Sequence, residues 1–152
     1  MQNEKKFKKI WENVLPKSED LGHRDWGTET LLAVETGKIM MKKLFLKSGT
    51  KGGLQYHRKR VEAGYIISGK LKVRIGLKGK IEDKILKDGD HFIFTTGLVH
   101  QEEALEDTII IECSTPWLND RVRVEKEYGL EEFDGLPTTN PGEEILRWTK
   151  IN

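Results

Sequence analysis

Gln55 and His57 stand two residues apart, so an extended chain turns both side chains to one face. Glu62 follows His57 after Arg58 to Val61, a stretch long enough to reverse into a next strand. His100 comes much later, just behind the turn-forming run Gly97-Leu98-Val99. Two imidazoles, a carboxylate and an amide oxygen suit Zn, Fe, Ni or Mn. Four protein donors leave room for water or substrate oxygens when the metal is five- or six-coordinate. Either histidine alone reads more readily as a structural or surface residue. The set of four favours one divalent metal ion, with Zn as first choice and Fe, Ni or Mn behind it.

Strands must hold such a set. Leu71, Val73 and Ile75 alternate with Lys70, Lys72 and Arg74, a period of two. Short strands are expected at 29–36, 39–47, 53–57, 62–68, 70–77, 80–86, 91–95, 98–104 and 107–114. Turn signals separate them, among them Thr36-Gly37, Ser68-Gly69, Lys78-Gly79 and Asp88-Gly89-Asp90. Many short, closely spaced strands point to an all-β sandwich or barrel, and a jelly roll is one such solution. Before the strands, Phe7, Ile10, Trp11, Val14 and Leu15 form one stripe on a helix over 4–15, stopped by Pro16. That stripe is expected to pack on the barrel or on a partner subunit. The alternation ends after Pro116. The expected organisation is an N-terminal helical extension over 1–24, a barrel over 25–116, and a C-terminal tail over 117–152 that wraps the barrel, with one helical turn after Pro141.

The 152 residues suit one domain with a core that needs no covalent staples. Lys and Arg number 26 against 25 Asp and Glu, so a net charge of +1 gives no electrostatic case for nucleic acid or an anionic membrane. Cys113 is the single cysteine, expected as an inert buried thiol, and excludes an intrachain disulfide. No run approaches the ~18 apolar residues of a membrane span, and the first ten residues lack the apolar core of a signal peptide. A cytoplasmic protein is the expectation.

The spacing resembles the cupin superfamily. The first cupin motif, G-x5-H-x-H-x4-E-x6-G, is similar to Gly49-x5-Gln55-x-His57-x4-Glu62-x6-Gly69, with Gln in place of the first His. The second, G-x5-P-x-G-x2-H-x3-N, is similar to Gly89-x5-Thr95-x-Gly97-x2-His100-x3-Ala104. The lost Pro and Asn are not metal ligands. This resemblance implies a single cupin barrel, a double-stranded β-helix or jelly roll, with Gln55, His57, Glu62 and His100 on the metal.

A narrower resemblance is to the cupin domain of type II phosphomannose isomerase (mannose-6-phosphate isomerase), whose run LSLQ-x-HHHRAEHW matches here at Gln55, His57, Arg60 and Glu62. Asp25-Trp26-Gly27 and the stretch Asp120 to Gly129 are also similar to that family. The 152 residues include no counterpart of the family's guanylyltransferase domain, and its His-Trp after the Glu is Ala63-Gly64, which is expected to leave space near the metal.

The resemblance implies a metal-dependent sugar or sugar-phosphate isomerase. In it the metal polarises the carbonyl and a carboxylate shuttles the proton. Glu102 shares a face with His100 and is the candidate for that shuttle, unless it is a surface carboxylate. Lys42 and Arg123 are the candidates for holding an anionic group, or else form salt bridges with Glu112 or Glu125. Alternatives are an Fe(II) dioxygenase, a uronate lyase or epimerase, and a non-catalytic carbohydrate-binding cupin. The implied partners are a small carbohydrate or sugar phosphate and a second copy in a homodimer.

Overall fold

The computed structural model describes residues 2–132 and 135–147. One helix, α1 (Gln2–Val14), precedes eleven strands. They are β1 (Glu19–Arg24), β2 (Gly27–Glu35), β3 (Ile39–Leu46), β4 (Gln55–Tyr56), β5 (Glu62–Ser68), β6 (Lys70–Leu77), β7 (Lys80–Lys87), β8 (His91–Phe94), β9 (Val99–Ala104), β10 (Thr108–Ser114) and β11 (Val122–Arg123). Two antiparallel sheets face each other in the orders β1-β2-β3-β10-β5-β8 and β11-β4-β9-β6-β7. This is the jelly-roll barrel that the motif resemblance implied, within the sandwich or barrel class that the alternation pointed to.

The interior changes character along the strands. On β3 the inward residues run Met40, Lys42, Leu44, Leu46; on β10 they run Thr108, Ile110, Glu112, Ser114. Leu44, Leu46, Ile66, Leu71, Val73, Phe94, Ala104 and Ile110 close one end as an apolar core. At the other end the same inward positions carry charge. Lys42 and Glu112 are register partners across β3 and β10, and their side chains meet at 2.9 Å. Burying charge is costly unless it is paired, so the pairing at this end is a condition of the fold.

The outer faces differ. The five-stranded sheet is laced with ion pairs, Lys72–Glu103 at 2.6 Å and Arg74–Asp83 at 2.8 Å. The six-stranded sheet carries instead a row of register partners, Ala33–Met41–Cys113–Ala63–Ile93, with exposed Tyr65 and Ile67 beside it. Cys113 is half-buried there rather than buried, because its strand turns it away from the core.

Several expectations change. Glu19–Arg24, placed in the helical extension by sequence, is an edge strand on β2. The stripe on α1 is not buried against the barrel among the described residues: Phe7, Ile10, Trp11 and Val14 are 53–63% exposed. The segment after Pro141 forms a turn rather than a helical turn, and a 3-10 helix lies earlier, at Glu125–Tyr128. The tail does return to the barrel. Trp117 bridges Leu146, and Arg147 reaches Glu19 at 2.7 Å. Among the described residues, no helix is long and apolar enough to cross a membrane.

Candidate metal centre

His57, Glu62 and His100 arrive from three places. His57 follows β4, Glu62 opens β5, and His100 lies on β9. The register of the five-stranded sheet puts Gln55 directly opposite His100. One donor atom from each of His57, Glu62 and His100 falls within 4.8 Å of the others, and all three residues are buried. Gln55 lines the same cavity, half-buried.

The backbone decides how the imidazoles face. His57 Nδ1 lies on the carbonyl of Asp120, and His100 Nδ1 lies 2.9 Å from the carbonyl of Leu98. A carbonyl only accepts, so each Nδ1 carries a hydrogen, and in the neutral ring each Nε2 keeps a lone pair. Both Nε2 atoms point at the same Glu62 Oε1, at 3.1 Å and 3.2 Å. Burial opposes ionisation of Glu62. The Arg60 guanidinium leads the effects that outweigh it and hold the carboxyl well below the usual range. With both rings neutral, three lone-pair atoms converge on one point.

Arg60 answers part of this demand. Its Nη2 lies 3.1 Å from His57 Nε2 and its Nε 3.1 Å from Glu62 Oε2. His100 Nε2 has no hydrogen-bond partner. A buried, orphaned nitrogen beside an ionised carboxylate is what a divalent cation satisfies, so the residues present fit a metal. His100 is held flat by Phe94, whose ring stacks on it at 4.0 Å between centroids.

Other expected residues surround a cavity of about 490 Å³. Glu102 lines it rather than the surface. Burial raises its carboxyl well above the usual range, and the carboxylates of Glu62 and Glu112 add to the effect. Lys42 and Arg123 line the same cavity, and each is engaged by a carboxylate. Lys42 Nζ contacts Glu29 at 2.7 Å and Glu112 at 2.9 Å. Arg123 Nη2 donates to Glu125 Oε1 at 2.6 Å. The space expected beside Ala63-Gly64 is filled. Ala63 faces outward with Cys113, and a Cβ on Gly64 would lie 2.3 Å from the ring of Phe92, its register partner on β8.

Asp120 is the residue whose role the sequence did not show. Its carboxylate accepts the backbone N–H groups of Arg58, Lys59 and Arg60 at 3.0, 2.7 and 2.8 Å. These bonds hold its pKa down against the effect of burial. Asp120 thus fixes the loop between His57 and Glu62 while its carbonyl orients His57. The signal for it was thin: one of eight carboxylates in the stretch after Pro116, within a motif but with no chemistry assigned.

Comparison with known proteins agrees with this geometry. Residues 44–112 match the family model described as Cupin domain. No curated protein matches the sequence. Among solved structures, the capsular polysaccharide assembling protein CapF from Staphylococcus aureus superposes with a TM-score of 0.62 at 16% identity, over 70% of this chain and 31% of CapF. Oxalate decarboxylase from Bacillus subtilis gives 0.60 at 21% identity, over 72% of this chain and 30% of that one, and is described elsewhere with Mn(II) centres. KdgF from Halomonas sp. gives 0.54 at 22% identity, over 70% of this chain and 92% of KdgF. This chain thus spans about a third of the length of CapF or of oxalate decarboxylase. At these identities the likeness is one of fold. Residues 44–112 thus resemble a cupin domain, and the chain folds as a two-sheet jelly-roll barrel around a His-Glu-His cluster.

Proposed function

We propose that this protein is a metal-dependent enzyme that interconverts an aldose and a ketose, free or phosphorylated. One observation carries the reading. A carboxyl raised well above its usual range, Glu102, shares a cavity with the converging donors of His57, Glu62 and His100. A bound divalent ion, Zn first, supplies Lewis-acid polarisation of a substrate carbonyl oxygen. The chain supplies the rest. Glu102 exchanges a proton with the adjacent carbons, a task suited to a carboxyl whose pKa burial has raised. Lys42 has three N–H donors, of which Glu29 and Glu112 take two, and the third is available to a substrate oxygen. Arg123 borders the cavity with its planar fork fixed by Glu125.

The test begins with elemental analysis of protein purified without chelator or nickel resin. A panel of aldoses and aldose phosphates follows. The expected result is interconversion that disappears on chelation and in Glu102→Gln. Metal-replete protein that turns over none of the panel would sink the reading. The donor set of two histidines and one carboxylate also favours Fe(II) and oxygen chemistry. Bound iron with oxygen uptake on substrate addition would select that reading instead.

Two copies are proposed to pair through the outer face of the six-stranded sheet. An antiparallel sheet normally shows polar residues to water. Here the row from Ala33 to Ile93 is uncharged while the opposite sheet is covered with ion pairs.

A further inference from the structure

The cavity's cations are nearly all answered. Lys42 is matched by Glu29 and Glu112, Arg60 by Glu62, and Arg123 by Glu125. Arg24 lies 3.4 Å from Glu29. Arg121 is the exception. It lines the cavity, half-buried, and among the described residues its guanidinium makes no hydrogen bond and no ion pair. The acids nearest to it are committed elsewhere. Glu29 serves Lys42 and Arg24, and the Asp120 carboxylate is taken by three backbone N–H groups.

The backbone of Arg121 is fixed on both sides. Its carbonyl accepts the N–H of Thr139 at 2.9 Å, and Val122 follows as a strand residue paired with Tyr56. The guanidinium is therefore presented from an anchored position. Burial lowers its pKa, and the like charges of Arg60 and Arg24 lower it further, ahead of the opposing effect of Glu29 and Asp120. A half-buried guanidinium without a partner is costly, and an incoming anion offsets that cost.

We infer that Arg121, flanked by Arg24, is an anion-binding subsite for the carboxylate or phosphate end of a small polyhydroxylated substrate whose other end lies at the His57–Glu62–His100 centre. The substrate class rests on the isomerase reading, while the subsite stands on the unmatched charge. A guanidinium presents two parallel N–H groups, which fit either anion. Selectivity for charge is thus placed at Arg121, in the chain beyond the barrel strands, rather than at Lys42 or Arg123.

Calorimetric titration of the full chain with mannose, mannose 6-phosphate and mannuronate tests this. At least one charged probe is expected to bind roughly tenfold tighter than mannose, and the one that does identifies phosphate or carboxylate. Arg121→Gln should erase that margin and Arg121→Lys should keep part of it. In the unaltered protein, that same probe should protect Arg121 from phenylglyoxal, read by mass spectrometry of the peptide. Equal or absent binding of all three, an undiminished margin in Arg121→Gln, or no protection would overturn the inference. Absence of turnover with tight, Arg121-dependent binding would sink the isomerase reading alone. Turnover without an anion preference would sink the subsite alone.

Discussion

The carbonyl of Asp120 orients His57 while the carboxylate of the same residue holds the three backbone N–H groups that follow it, those of Arg58, Lys59 and Arg60. Backbone and side chain of one residue thus set both the direction and the position of a candidate ligand. Asp120→Ala keeps the carbonyl but releases the loop. Metal affinity is expected to fall by about 10- to 100-fold, as for loss of other groups that orient ligands. Competitive titration with a chelating dye measures it. A variant that loses stability but binds metal as before would reduce Asp120 to a structural clamp.

Metal should stabilise the fold by mass action. At a free concentration near 100 times Kd the gain is about 2.7 kcal/mol, visible as a higher urea midpoint. Glu62→Gln and His100→Ala should each remove most of that gain. If either variant is stabilised by Zn as fully as the unaltered protein, the three donors do not form the site.

Lys42 and Glu29 tie stability to pH at both ends. Burial opposes the charge on each; Lys42 outweighs it at Glu29, lowered below 4.5, and Glu112 ahead of Glu29 outweighs it at Lys42, raised above 10.5. The Glu29 contribution is complete above 4.5 and is lost as pH falls through its lower folded value. The Lys42 contribution is complete below 10.5 and is lost as pH rises through its higher folded value. Glu29→Gln should flatten the acid limb of the urea midpoint. Lys42→Met should cost about 3–5 kcal/mol, because it leaves buried carboxylates without their cation. Midpoints that track the unaltered protein at every pH would show that the pair stabilises nothing.

Gly64 and Phe92 fit as hydrogen against ring. Gly64→Ala is expected to cost about 1–3 kcal/mol by overpacking, and Phe92→Leu in the same chain should recover part of it. Thermal melts of the single and double variants measure the coupling. Additive costs would show that the ring is not what fills the space.

Pairing of two copies is checked by sedimentation. Ile93→Glu puts a charge in the uncharged row, and the pair should dissociate to monomers with metal content unchanged. A monomeric unaltered protein at micromolar concentration would end the proposal.

Alternation made much of the barrel legible. The strand expected at 70–77 has those bounds, and the 80–86 strand differs by one residue. Glu19–Arg24 was hidden because an edge strand with a register shift has no second buried face to impose a pattern. His57, Glu62 and His100 were legible because their types and spacing are chemical. The fault at Ala63 was one of parity. Glu62 points inward, so its neighbour on a strand points out. Asp120 was illegible for a different reason: it acts through a backbone carbonyl 63 residues from His57, and any residue type carries a carbonyl.

The position of Asp120 also gives the centre a timetable. Ribosomes add about 5–20 residues per second, and His57, Glu62 and His100 are all made before the residue that orients the first of them. A nascent chain that has closed the strands up to Ser114 therefore owns every donor atom but not their arrangement. A divalent ion that needs the three donors arranged would therefore wait on the docking of the segment around Asp120 rather than on the barrel.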